Sequence, residues 1–334
     1  MSFIFLLGCS EEEAISIQLD QSIGATSPRL KLDSEQIQMA LPANSELVVV
    51  ARHFPSSQNP FMTLLEEHLK PFTTSLEKNA LFEPLGFFDE TTSDTFLAVG
   101  FAPLSPDFKS YHIGAYGKTT NLDINGFQMA LQQRAQSLNY RLSHRSPWLL
   151  LTDQETSNCL AFAPTGDHAL QCYAIHAQSS NDIIETTFTQ DDHVWLQQLL
   201  KPATQTQQTT LLVGVRNAPR YLDLCLPKAM HFREVFLKGE TLFVHLQETD
   251  ESYFLKAEIS APSQQEAQTL FEGLIFLRMK LAQHDPHDLQ RALFASLLRQ
   301  IRLKLEGTTI QLETEITFED FTTLLEITTK DLLK

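Results

Sequence analysis

The sequence predicts an α+β protein built as two ferredoxin-like halves, each in the order βαββαβ, with an extra hairpin and helices at the C-terminal end. Three observations lead there. Glu46-Leu-Val-Val-Val-Ala-Arg52 and Thr210-Leu-Leu-Val-Gly-Val-Arg216 align without gaps, and each is followed three residues later by a proline, Pro55 and Pro219. Behind each run come a helical pattern, two strand-like runs and a second helical pattern in the same order, which is the signature of a diverged internal duplication. The polar stretch Lys201-Pro202 with Thr204-Gln-Thr-Gln-Gln-Thr-Thr210 is the join expected between them, dividing the folded chain into 41–200 and 201–334. The alternative is a coincidence of two common α+β patterns, because the identities are few.

In the first half, the continuous apolar run 46–52 suits a central strand covered on both faces. Asn59-Pro60 then offers an N-cap and a first helical residue whose missing N–H the first turn would not use. Phe61, Leu64, Leu65, Leu69 and Phe72 recur at helical spacing until Pro71 interrupts them. Strands are expected at 95–101 and 111–116, a helix at 125–136 and a fourth strand at 148–152. Asp191-Asp192-His193 reads as the acidic first turn of a helix carrying Trp195, Leu196, Leu199 and Leu200.

In the second half, 221–230 is the weaker counterpart of the first helix, broken by Pro227. Strands are expected at 240–246 and 253–259. Ser263-Gln-Gln-Glu266 is a capping box, opening a helix with Ala267, Leu270, Phe271, Leu274, Leu277 and Leu281 on one face. A strand near 302–305 completes the unit, and 301–306 with 309–317 alternate around Gly307 as a hairpin. Asp285-Pro286 starts a helix through Leu289, Leu293, Phe294, Leu297 and Leu298, and Thr317-Phe-Glu-Asp320 starts a last one with Phe321, Leu324 and Leu325 inward.

Charge narrows the partners. With 41 acidic against 25 basic side chains the formal charge is −16, which repels phosphate backbones, so nucleic acid is excluded as a partner class. After the N-terminal stretch no segment approaches the about 18 unbroken apolar residues that a membrane-spanning helix needs. The 23 phenylalanines mostly take core spacings and require no ligand.

The N-terminus carries the most specific signal. Met1-Ser-Phe-Ile-Phe-Leu-Leu-Gly-Cys9 is an apolar burst followed at once by Ser10-Glu11-Glu12-Glu13. Leu6-Leu7-Gly8-Cys9 resembles the lipobox of bacterial lipoproteins, whose small residue before the cysteine lets a peptidase reach the backbone while the thiol takes the lipid. The resemblance covers four residues. It implies diacylglyceryl attachment at the Cys9 sulfur, cleavage after Gly8, acylation of the new amino terminus and, through Ser10, passage to the outer membrane. The apolar run is short and no Lys or Arg precedes it, which a start site set too late would explain. The alternative is a cytoplasmic protein with an apolar end and an ordinary thiol. Residues 10–40 hold Glu11, Glu12, Glu13, Asp20, Asp33 and Glu35 among small polar residues, as expected of a flexible tether.

If Cys9 carries lipid, Cys159, Cys172 and Cys225 remain. Thr165-Gly166 looks like a hairpin tip, and closing the hairpin at Pro164 and Asp167 puts Cys159 opposite Cys172, within disulfide range in an oxidising compartment. The alternatives are two reduced cysteines packed in a sheet, and a slipped register, because Pro164 has no N–H to close the turn. Cys225 reads as a small buried hydrophobe.

The search for chemistry returns mostly negatives. Gly117-Lys118-Thr119 lacks the glycine-rich cradle of a phosphate loop, since His112 stands where its first glycine should be. His284-Asp285-Pro286-His287-Asp288 has metal-ligand residue types, but a helix start accounts for them better. No hydrolase elbow, zinc-protease helix, Cys-x-x-Cys pair or dinucleotide fingerprint occurs. We therefore expect no catalytic residue, cofactor or metal. The expected role is a non-catalytic binding or scaffolding module of the cell envelope, attached to membrane lipid through Cys9, with an envelope protein as its partner and its oligomeric state open. The rivals are an exported hydrolase or metal-dependent enzyme using dispersed His and Asp residues, and a cytoplasmic interaction protein.

Overall fold

The computed structural model describes residues 34–42, 44–53, 95–103, 111–119, isolated positions between 123 and 136, 140–146, 148–153, 159–165, 169–175, 190–205, 209–225, 233–249, 251–282, 296 and 299–320. They fall into two compact units that part between Gln207 and Gln208.

The N-terminal unit opens with a short helix, α1 (Ser34–Ala40). These residues were expected to belong to the tether. Ile37, Ala40 and Leu41 instead share one helical face and are fully buried. Seven strands follow: β1 (Leu47–His53), β2 (Thr95–Pro103), β3 (Tyr111–Thr119), β4 (Tyr140–Arg145), β5 (Trp148–Asp153), β6 (Cys159–Pro164) and β7 (Ala169–Ile175). They form the order β1-β2-β3-β7-β6-β5-β4, with every neighbouring pair antiparallel. Helix α2 (Gln190–Gln205) closes the unit and packs on α1. Its start at Gln190 agrees with the acidic first turn read at Asp191 and Asp192.

One face of this sheet lies under α1. Tyr116 and Phe96 meet there edge to face at 6.1 Å, and the Tyr116 hydroxyl donates to Gln36 Oε1 at 3.4 Å. Gly100 of β2 sits opposite Gly114 of β3. A Cβ at Gly100 would come within 2.6 Å of Ser45 Oγ, 3.1 Å of Pro42 Cδ and 3.2 Å of Leu41 Cβ. A missing side chain thus lets the turn after α1 rest on the sheet, where Ser45 Oγ donates to the Pro42 carbonyl at 2.6 Å.

The C-terminal unit contains β8 (Thr209–Arg216), α3 (Ala218–Cys225), α4 (Arg233–Phe236), β9 (Thr241–Glu248), β10 (Ser252–Ser260), α5 (Gln264–Ala282), β11 (Arg302–Glu306) and β12 (Thr309–Thr317). Its strand order is β11-β12-β10-β9-β8, again antiparallel throughout. The α5 capping box forms as read: Glu266 N–H donates to Ser263 Oγ at 3.2 Å, and the Ser263 hydroxyl donates to Glu266 Oε2 at 3.0 Å. Gly307 takes φ +59° in the β11–β12 turn, which its lack of a Cβ makes cheap. Leu242, Val244 and Leu246 of β9 align with Ile259, Ala257 and Leu255 of β10, and α5 packs on β11 and β12.

The expectation of two ferredoxin-like halves is corrected by these pairings. In a βαββαβ unit the two helical crossovers place the first strand between the third and the fourth, apart from the second. Here β1 pairs directly with β2 and β8 with β9, while β3 pairs with β7 and β10 with β12, so each unit opens as a meander of sequential neighbours. The two units share only an opening meander, β1-β2-β3 and β8-β9-β10, and differ beyond it. Strand β4 was not foreseen. The helix expected at 59–72, all but residue 296 of the one expected from Asp285 to Leu298, and the last helix beyond Asp320 lie outside the described residues.

Candidate functional site

Cys9, His284 and His287 lie outside the described residues, and so do the Cys225 neighbours up to Pro227. Gly117, Lys118 and Thr119 are the last residues of β3, extended backbone rather than a loop.

The hairpin around Thr165 is present as β6 and β7, but its register is not the expected one. Cys159 pairs with Ile175 and Cys172 with Phe162, because Pro164 pairs with Leu170 rather than with Asp167. The turn is closed by Thr165 N–H donating to the Ala169 carbonyl at 3.0 Å. A tight turn at Pro164 would need an amide proton that proline lacks. The slip is three residues, and an odd slip sends the two cysteines to opposite faces of the sheet. Three residues along a strand also add about 10 Å, beyond the about 7 Å between Cα atoms that a disulfide tolerates. We expect alkylation and peptide mapping of unreduced protein to recover Cys159 and Cys172 as separate thiols; a linked peptide pair would refute this register.

Three polar groupings escaped the sequence reading. The first surrounds His245, 9% exposed in β9, whose Nε2 lies 2.9 Å from Thr209 Oγ1 at the irregular start of β8. Leu212 and Lys256 lie opposite it on the neighbouring strands, and its ring tilts against Phe243 at 6.5 Å. Burial, and then the positive charge of Lys256, lower its pKa. Lys256 is itself paired with Glu258 at 2.8 Å.

The second grouping locks the β9–β10 turn. Thr249 Oγ1 donates to the Ser252 carbonyl at 2.8 Å and accepts from the Ser252 N–H at 3.0 Å, while Ser252 Oγ donates to Glu315 Oε1 on β12 at 2.5 Å. Tyr253 stacks edge to face on Phe318 at 4.8 Å. Burial, reinforced by Glu248 opposite, raises the Tyr253 pKa and keeps the phenol protonated. The Ser252 hydroxyl thereby holds a turn to a neighbouring strand. Among the described residues no group of three or more His, Cys, Asp or Glu is placed to hold a metal ion.

The third grouping is the edge strand β4. Arg141, Ser143 and His144 are exposed along it, and Leu142 is half-buried. Arg141, Ser143 and Arg145 occupy one face, Leu142 and His144 the other. From residue 124 to residue 152 the chain carries Arg134, Arg141, His144 and Arg145 and no Asp or Glu. The cue lay in the sequence as this local loss of acid, but it acquires meaning only when β4 proves to be the last strand of the sheet.

Among the described residues no helix is long and apolar enough to cross a membrane. No protein-family model matches the chain, and no curated protein matches it. Among solved structures the chain is similar to three crystal forms of TP0453. Form I is 11% identical with a TM-score of 0.39, covering 88% of this chain and 98% of that one. Form III is 10% identical with a TM-score of 0.44, covering 86% and 98%. Form IV is 10% identical with a TM-score of 0.42, covering 86% and 96%. A likeness this distant assigns neither a fold nor a role.

Proposed function

We propose that the protein is a non-catalytic binding module of the bacterial cell envelope, moored to membrane lipid through Cys9. The observation that carries this reading is Leu6-Leu7-Gly8-Cys9, followed directly by an acidic polar stretch and, from Ser34, by the first packed helix. Each acyl carbon buried in a bilayer contributes about 0.8 kcal/mol, so one chain holds marginally and several on one residue hold durably. The outer membrane is the destination that Ser10 favours. The hydroxyl and imidazole groups within the sheets support a binding role over catalysis, since Ser252, Thr249 and Thr209 spend their hydrogen bonds on turns and strand pairing.

Cells fed an alkyne analogue of palmitate should label the wild-type chain, and Cys9→Ser should abolish the label and release the protein from the membrane fraction. A wild-type chain that stays unlabelled and fractionates with soluble protein would overturn the proposal.

A further inference from the structure

We propose that the outer edge of β4 receives an extended acidic peptide, which adds to the N-terminal unit's sheet as a further strand. This deepens the reading as a binding module and is independent of the lipid at Cys9.

Strand β4 ends the order β1-β2-β3-β7-β6-β5-β4, so among the described residues one row of its amides and carbonyls faces no strand. Such a row is a template for another chain, and proteins blunt it with charge, proline or a cover. In the C-terminal unit the terminal strand β11 shows the blunted form: Lys304 is ion-paired with Glu306 two residues along the same strand. Strand β4 has no acid of its own to do this. Arg141, His144 and Arg145 stand in Tyr140-Arg-Leu-Ser-His-Arg145, within an acid-free stretch of a chain whose formal charge is −16.

Charge also selects the occupant. Two copies of β4 paired antiparallel about Leu142 and Ser143 would set Arg141 against His144 and crowd the arginines, which like charges across a pair of strands disfavour. A strand with carboxylates opposite Arg141 and Arg145 would gain instead. Antiparallel addition places those two carboxylates four residues apart, with a third acid able to face His144 and an apolar side chain opposite half-buried Leu142. Read from its N-terminus, the peptide is acid, acid, any residue, apolar, acid.

The test is a titration of the full chain with fluorescein-labelled Thr-Glu-Glu-Thr-Val-Glu-Thr and with the same peptide carrying Gln for each Glu, followed by anisotropy. The acidic peptide should bind saturably, at least tenfold more tightly than the glutamine peptide, and more weakly as salt rises. Arg141→Glu with Arg145→Glu should weaken it at least tenfold. His144→Pro, which removes an outward-facing amide of the edge while leaving both arginines, should also abolish binding, because the hairpin pairing turns the amides of Arg141, Ser143 and Arg145 toward β5 and those of Leu142 and His144 outward. If that variant does not fold, the amide I band of a ¹³C-labelled peptide on the wild-type protein makes the same distinction, because only an added strand shifts it to the β position. Absence of saturable binding, equal binding of the glutamine peptide, insensitivity to the charge reversal, binding that survives His144→Pro, or a dimer that dissociates on charge reversal would each overturn the proposal. None of these outcomes bears on palmitate labelling at Cys9, so the two readings fail separately.

Discussion

Lowering the pH from 7.5 to 5 should cost the folded protein about 2 kcal/mol through His112 alone. His112 lies in β3 with 2% of its surface exposed, between Ala102 of β2 and Ile175 of β7. Burial holds its pKa down to about 4, against 6.5 in the unfolded chain. Between those values the unfolded chain binds a proton that the folded chain refuses, so stability rises with pH across that window. It is lost as pH falls through 6.5 and levels off below about 4, where the cost reaches roughly 3 kcal/mol. His245 shifts in the same direction and adds to the slope. Urea unfolding of wild type and His112→Gln at both pH values isolates the His112 share, because the variant keeps every other histidine. The wild type should lose about 2 kcal/mol more than the variant between the two pH values. Parallel losses would show that His112 is not held neutral by burial.

Gly100→Ala should destabilise the protein by about 2 kcal/mol, although alanine in a strand interior would ordinarily help by narrowing the unfolded ensemble. The new methyl group would meet Ser45 Oγ, Pro42 Cδ and Leu41 Cβ at 2.6, 3.1 and 3.2 Å. The hydroxyl can rotate away only by giving up its bond to the Pro42 carbonyl, and the proline ring and Leu41 would still be crowded. The strain therefore falls on the turn that seats α1. Chemical denaturation should report the loss, and limited proteolysis should cut around residues 41–45 sooner than in wild type. A variant as stable as wild type, or more so, would mean that α1 does not press on β2 as described.

Most strands were legible, for a local reason. Leu47–His53, Thr95–Pro103, Tyr111–Thr119, Trp148–Asp153, Thr209–Arg216, Thr241–Glu248 and Ser252–Ser260 overlap the expected runs, because alternation and β-branched residues act over a few neighbours. The capping box at Ser263 and Glu266 and the turn at Gly307 were legible for the same reason. Helix α1 was missed because three apolar residues, Ile37, Ala40 and Leu41, are too few to outweigh a polar, acidic neighbourhood until a sheet is there to bury them. The candidate edge was missed because a basic hexapeptide looks like solvated surface wherever its neighbours are unknown.

The residue pattern alone determined which stretches would be extended, where the long C-terminal helix would begin, the acidic balance of the chain, and the lipobox-like run that ends at Cys9. Strand partnership belonged to the tertiary structure, because a hydrogen-bonded neighbour is chosen across distant sequence and a small slip changes everything facing it. Three residues of register separate a Cys159–Cys172 pair from two cysteines on opposite faces. The same assembly buried His112, closed Ser45 over Gly100 and left β4 at the margin of its sheet, and none of these is a property of the residue itself.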